Sequence, residues 1–333
     1  MMSKPKVWVS RPFFPDIVDR LREHFEVTAE TEERAFSPEE LAVRLADADA
    51  AIVGLADRID AGVLKGAPKL RFVANLGVGY NNLDLDALTE AGVGASNTPD
   101  VLNETVADYG WALMMAAARR VGEAERWLRA GQWKGSRFEG WLGADIHGST
   151  IGILGMGRIG QAIARRAVGF RARVIYHNRS RLDAAIETEC GATYVDKAAL
   201  LAQADHLILV LPFTPANRHT IGAAELKAMK PTATLTNIAR GGIVDDEALA
   251  RALADGEIAA AALDVFEGEP AVHPDLLEQQ NVVLSPHIAS ASRDTRRGMA
   301  SLAVDNVLAA FGHGPSAGRP PTILNPGVLA DAS

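Results

Sequence analysis

The sequence predicts an α/β protein with two doubly wound, parallel-sheet domains. Three observations point there. Short apolar runs alternate with helix-period segments along most of the chain, which is the pattern of β/α units. A G-x-G-x-x-G turn falls near the middle, directly after an apolar run. At 333 residues the chain also exceeds the size at which a single core usually stops growing. The composition is globular, 48% hydrophobic and 23% charged, and no low-complexity tract interrupts it.

Taken in order, Lys6-Val7-Trp8-Val9 reads as a strand and residues 15–25 as a helix. Ser37 caps a second helix, with Pro38 at its first position and Glu40 placed for a capping box. Residues 50–53 and 70–74 are the next strands. A long helical pattern runs over 104–130, with Asn103 as its cap and Gly131 as its C-terminal glycine. The second block starts with a buried strand at 150–154. Strands at 173–176, 206–211, 234–237, 260–264 and 281–284 follow it. One amphipathic helix, 293–311, precedes a tail rich in Gly, Pro and Ser.

Several function classes are disfavoured. The formal net charge of −8 argues against nucleic-acid binding, which needs a basic surface. No apolar stretch is long enough to span a membrane, and the N-terminus lacks a signal-peptide core. Cys190, the single cysteine, excludes an intrachain disulfide and makes a cysteine-based metal site implausible, so no metal is expected. A reducing cytoplasm is the expected location.

The glycine turn is Gly155-Met156-Gly157-Arg158-Ile159-Gly160. It follows a strand and opens a helix, the context in which such a turn binds a dinucleotide pyrophosphate. Its glycines allow a tight turn, close backbone approach and helix-on-strand packing, and the helix N-terminus offers N–H groups to phosphate. A Rossmann cofactor domain is therefore expected. At the end of the next strand an NAD site carries an acidic residue for the ribose 2′-hydroxyl. Here the sequence reads Asn178-Arg179-Ser180-Arg181. Two arginines and a hydroxyl suit a 2′-phosphate, so NADP(H) is expected in preference to NAD(H), with NAD(H) possible.

Three further segments fall at strand ends of the second block: Asn237-Ile238-Ala239-Arg240-Gly241-Gly242, Asp264-Val265-Phe266-Glu267-Gly268-Glu269-Pro270 and Ser285-Pro286-His287-Ile288. The carboxyl ends of parallel strands converge on the ligand crevice, so Arg, Glu and His can meet there. Arginine's planar fork suits a substrate carboxylate. Histidine exchanges the proton that accompanies hydride transfer, and a neighbouring carboxylate favours its charged form and holds the ring.

These segments, with Gly77-Val78-Gly79-Tyr80-Asn81-Asn82-Leu83-Asp84 and the Gly155 turn, resemble the D-isomer-specific 2-hydroxyacid dehydrogenase family, most of all its glyoxylate/hydroxypyruvate and 2-ketogluconate reductase branch. The resemblance implies reduction of small 2-keto acids to D-2-hydroxy acids and the reverse. It implies Arg240, Glu269 and His287 as the catalytic group, with Glu267 the nearest rival to Glu269. It adds Val210, Leu211, Pro212, Ile238, Ala239, Asp264 and Ala289 to the cofactor site. For the substrate it implies Leu55, Leu76, Gly77, Val78 and Gly79, together with Arg240 and His287. It further implies a flavodoxin-like substrate domain, 1–102 plus 289–333, and a Rossmann domain, 103–288, with the active-site cleft between them, and a homodimer in which Trp141 is a candidate for reaching the partner. Departures are Ala289 for the usual Gly and Asn81 for the usual Asp. Glu269, where formate-oxidising relatives carry Gln, and Val78, where phosphite-oxidising relatives carry Lys, disfavour those activities. Alternatives are an NAD-linked dehydrogenase for another acid such as lactate and, remotely, a nucleotide-sensing corepressor.

Overall fold

The computed structural model describes residues 3–136 and 138–330. They form two compact units, one running to Leu102 and resuming at Ser292, the other spanning Asn103–Ala291. The sequence puts the second junction at 288/289. The contacts put it after Ala291, because the Ala289 amide is tied to Asp264 Oδ2 of the second unit at 2.8 Å.

The first unit contains strands β1 (Lys6–Val9), β2 (Glu26–Ala29), β3 (Ala50–Val53), β4 (Phe72–Asn75) and β5 (Gly94–Ser96), with helices α1 (Pro15–Arg22), α2 (Pro38–Leu45), α3 (Ala61–Lys65) and α4 (Leu85–Glu90). The strands pair in parallel in the order β2-β1-β3-β4-β5, which is the flavodoxin order. Both faces of this sheet are covered. On β1, Val7 and Val9 join one apolar cluster while Trp8 joins the other, as the two-residue period of a strand requires. The predicted capping box of α2 is present, Ser37 Oγ accepting from the Glu40 amide at 3.3 Å and Glu40 from the Ser37 amide at 2.9 Å.

The second unit runs α5 (Asn103–Ala118), α6 (Val121–Arg129), β6 (Thr150–Leu154), α7 (Arg158–Arg166), β7 (Arg173–His177), α8 (Ala184–Cys190), β8 (Ala192–Tyr194), α9 (Lys197–Gln203), β9 (His206–Leu209), α10 (Ala223–Lys227), β10 (Thr234–Asn237), α11 (Asp246–Ala254), β11 (Ala260–Leu263), α12 (Pro274–Glu278) and β12 (Val282–Leu284). Its parallel sheet has the order β12-β11-β10-β9-β6-β7-β8. The order reverses between β6 and β9, and ligands bind such sheets where that happens. The chain returns to the first unit as α13 (Arg293–Ala310), whose Ala300, Ala303, Val304 and Val307 are buried in the Val7–Val9 cluster, and ends in α14 (Gly327–Ala330).

The long helix expected over 104–130 is two helices. Arg120 sits in the left-handed region (φ 55°) between α5 and α6, its guanidinium paired with Glu123 and lying 5.0 Å from the Trp141 ring centre. The expected Gly131 terminator is present with φ 69°. Among the described residues no helix is long and apolar enough to cross a membrane.

Candidate active site

The Gly155 turn lies at the point where the second sheet's strand order reverses. Gly155 has φ 103°, and a Cβ there would come within 2.8 Å of the Leu211 amide nitrogen and the Val210 carbonyl carbon. A Cβ on Gly160 would fall 2.4 Å from the Gly155 carbonyl oxygen, whereas one on Gly157 would meet nothing within 4 Å. The outer two glycines thus let turn, helix and the segment after β9 close on one another, and the middle one keeps open space before the N-terminus of α7. Those residues fit a dinucleotide pyrophosphate on backbone N–H groups. Met156 is buried; Arg158 is exposed and Ile159 half-buried at the start of α7.

After β7, Asn178 stands where an NAD site carries its acid. Asn178 Oδ1 accepts from the Met156 amide at 2.6 Å, so this side chain braces the glycine turn. Arg179 and Ser180 are exposed. Arg181 is already engaged: its Nε and Nη2 donate to the two oxygens of Glu187 at 2.9 and 2.8 Å, and the Tyr176 hydroxyl donates to Glu187 at 2.8 Å. Arg181 and Tyr176 hold Glu187 below the ordinary carboxylate range. Arg179, Ser180 and Arg181 are all exposed, and they differ in that Arg181 is engaged with Glu187.

Arg240 follows β10, where Asn237 shapes the turn. Asn237 Oδ1 accepts from the Ala239 amide at 3.0 Å and its Nδ2 donates to the Arg240 carbonyl at 3.3 Å. Ile238 and Ala239 are buried. Among the described residues Arg240 has no ion pair; its Nη1 donates to the Ala239 carbonyl at 2.6 Å. Burial pulls its guanidinium below the usual value, with the Glu269 charge opposing. An arginine remains charged through such a shift, so the site holds a poorly solvated cation suited to an anion.

The pairing at the next two strand ends is direct. His287 Nδ1 lies 2.8 Å from Glu269 Oε2, and Glu269 Oε1 accepts from the Phe266 amide at 2.9 Å. Burial works to raise the Glu269 pKa, but the His287 bond and charge, the Phe266 amide and Arg240 together hold it below 4.5. His287 itself has φ 54°. Its turn is fixed by Asp264, a buried side chain that accepts from Ser285 Oγ at 2.6 Å, the Ile288 amide at 2.9 Å and the Ala289 amide at 2.8 Å. Glu267 is not part of this pair. It binds a different imidazole, His219 Nε2, at 2.8 Å. His219 carried no signal in the sequence beyond being a histidine in a loop.

In the first unit, the loop after β4 turns its carbonyls inward. The Gly77 carbonyl accepts from the Thr98 amide at 3.0 Å, that of Val78 from Asn97 Nδ2 at 2.7 Å, and that of Gly79 from Asn75 Nδ2 at 2.9 Å. The Gly77 amide donates to the Asn75 carbonyl at 3.0 Å; backbone amides of a loop pinned in this way can form an anion-binding concavity. Leu55 packs on this loop, since a Cβ on Gly77 would lie 2.5 Å from its Cδ2, and Leu76 beside it is half-buried. Trp141 packs on its own chain's Trp127, ring centres 5.2 Å apart.

Residues 111–289 match the family described as D-isomer specific 2-hydroxyacid dehydrogenase, NAD binding domain. The chain is 47% identical over 331 residues to a glyoxylate reductase of Thermococcus onnurineus, covering 98% of this chain and 97% of that protein. It is 46% identical over 331 residues to a glyoxylate reductase of Aeropyrum pernix, with 97% of each covered. Among solved structures it resembles an NADPH-dependent glyoxylate/hydroxypyruvate reductase of Sinorhizobium meliloti in complex with NADP and malonate. That match has a TM-score of 0.85 and 36% identity, and covers 97% of this chain and 98% of the other.

Proposed function

The chain belongs to the D-isomer specific 2-hydroxyacid dehydrogenase family, and from that premise we propose that it reduces small 2-keto acids with NADPH, using Arg240, Glu269 and His287. It is an oxidoreductase acting on CH–OH donors with a nicotinamide cofactor, and its substrates are small keto and hydroxy acids. The observation that carries the residue assignment is the 2.8 Å contact between His287 Nδ1 and Glu269 Oε2.

The carboxylate can only accept, so His287 donates from Nδ1 and keeps Nε2 for the substrate. In the reducing direction Nε2 gives its proton to the carbonyl oxygen, and Glu269 stabilises the imidazolium that precedes transfer. Arg240, desolvated and without an ion pair among the described residues, holds the substrate carboxylate through paired hydrogen bonds. Leu55, Leu76, Gly77, Val78 and Gly79 are the substrate contacts proposed from the first unit, the loop N–H groups binding the same kind of carboxylate. The Gly155 turn, the Val210-Leu211-Pro212 segment, Ile238, Ala239, Asp264 and Ala289 would hold the nicotinamide cofactor, whose reduced form would supply the hydride.

Preference for NADPH over NADH rests on Asn178 where an NAD site has an acid and on the exposed Arg179 and Ser180. The structural relative from Sinorhizobium meliloti, named for NADPH, supports it. Glyoxylate, hydroxypyruvate, pyruvate and 2-ketogluconate, each assayed with NADPH and with NADH, test both points; a clear preference for NADH refutes the cofactor assignment. His287→Ala should lower kcat by on the order of 10²–10⁴, and near-normal turnover in that variant would remove His287 from the mechanism. Self-association into a homodimer completes the reading.

A further inference from the structure

Apart from the Glu269–His287 pair, the second unit holds another carboxylate–imidazole cluster that the proposed mechanism does not use. His219 lies in the segment after β9, in the left-handed region at φ 51°. Its amide donates to the Gly242 carbonyl at 2.7 Å. Its Nε2 lies 2.8 Å from Glu267 Oε2, its Nδ1 lies 3.6 Å from Asp245 Oδ2, and Arg218 pairs with the other oxygen of Glu267. One residue therefore touches the segment after β9, the turn that carries Arg240 and the turn that carries Glu269.

Those two turns are in direct backbone contact. A Cβ on Gly241 would fall 1.7 Å from the Phe266 carbonyl oxygen and 2.9 Å from the Glu267 nitrogen. The Glu267 amide in turn donates to the buried Asp246 at 2.9 Å. Phe266, the residue before Glu267, gives its amide to Glu269 Oε1 at 2.9 Å. A displacement of Glu267 therefore reaches the carboxylate that orients His287, and a displacement of Gly242 reaches Arg240. Among the described residues no three carboxylate, imidazole or thiol groups are arranged to hold a metal ion.

We propose that His219, acting through Glu267 and Gly242, is a positioning residue that sets Arg240 and Glu269 relative to each other. The left-handed backbone at His219 supports this: a non-glycine residue is held there only when its surroundings over-determine it. Here the amide bond, the Glu267 contact and the Asp245 contact do so. The inference rests on the assignment of Arg240, Glu269 and His287 as the reacting group.

The test compares His219→Ala, His219→Gln and Glu267→Gln in the full-length protein, with His287→Ala as reference. Glyoxylate serves as substrate, and cofactor binding is read separately by NADPH fluorescence. His219→Ala should lower kcat/KM for glyoxylate by about ten- to a hundredfold, the effect of a misplacement on the order of 1 Å. The loss should include a raised KM for the keto acid, because Arg240 is displaced, while the NADPH dissociation constant changes less than about twofold. His219→Gln places an amide N–H near the Nε2 position and should recover part of the loss. Glu267→Gln should lose activity in the same direction. The double variant His219→Ala/Glu267→Gln should be little worse than the worse single one, because both act through one contact.

A fall in thermal stability with unchanged kcat and KM would overturn the proposal, as would additive losses in the double variant or no recovery with Gln. If His219→Ala misfolds, the Glu267→Gln kinetics and the binding measurement decide. The reference variant separates the two levels: retained turnover in His287→Ala overturns the underlying site, whereas an inactive His287→Ala beside a kinetically normal His219→Ala overturns only this inference.

Discussion

Asn178 commits its side-chain oxygen to the Met156 amide, so an aspartate there would keep that bond and add a negative charge. The charge would accept from a ribose 2′-hydroxyl and repel a 2′-phosphate. Asn178→Asp should therefore move the NADPH/NADH ratio of kcat/KM toward NADH by about tenfold or more, with the turn intact; an unchanged ratio would show that this position does not discriminate. Arg179→Ala should weaken NADPH binding more than NADH binding, while Arg181→Ala should act mainly on stability, because Arg181 is bound to Glu187. Glu269 gives a pH dependence whose sign follows from its lowered pKa. Burial alone would raise it, but the His287 contact and the other partners hold the folded value below 4.5. A carboxylate depressed on folding contributes stability above its unfolded pKa and loses it as pH falls through the folded pKa. The pair is therefore intact at neutral pH and weakens only in the acid range below about 4.5. The stability gap between wild type and Glu269→Gln should accordingly narrow as pH drops from about 6 to about 3.5; thermal unfolding at both values checks it, and a constant gap contradicts it.

Turns between elements hold the site, and Gly241 is the tightest of them. Because a Cβ there meets backbone rather than a movable side chain, Gly241→Ala should cost about 1–3 kcal/mol and lower kcat/KM by displacing Arg240; a variant with normal Tm and kinetics would refute that packing argument. The elements that positioned these turns were legible wherever apolar runs were buried on both faces, as in β3, β4, β9 and β11. The strands without a sequence signal are edge or terminal ones. Half-exposed β2 alternates weakly, and β5 and β8 are three residues each, too short for a period to register. The break between α5 and α6 was hidden for another reason: Arg120 adopts a left-handed turn without glycine or proline, held by Glu123 and Trp141 contacts that no local pattern encodes. Arg240, Glu269 and His287 were readable because each sits in a glycine- or proline-marked segment at a strand end. The long-range partners were not, and His219 with Glu267 is the clearest case, since 48 positions separate them.

At the scale of the whole molecule, α6 has no buried residue of its own, although its sequence is amphipathic. Around it Val121 is 54% exposed, Leu128 52%, Trp133 59% and Leu142 67%, and Phe138 is fully open at 101%. An isolated surface leucine needs no explanation, but five large exposed apolar side chains between 121 and 142 point to an interface. A second copy of the chain is the proposed cover, in a two-fold arrangement where the same patch meets itself. A stable contact of this kind buries about 800 Å² per partner, which one helix and its following loop can supply. Light scattering on the eluting protein should give twice the chain mass, and Tm should rise with protein concentration, as it does when folding and association are linked. Leu128→Asp with Phe138→Asp places charges at positions that are at least half exposed, so it should yield monomer whose circular dichroism is unchanged. A wild-type monomer at about 10 μM, a concentration at which an obligate contact of this size is saturated, or an undisturbed dimer in the double variant, would mean that this apolar face is covered by something other than its own copy.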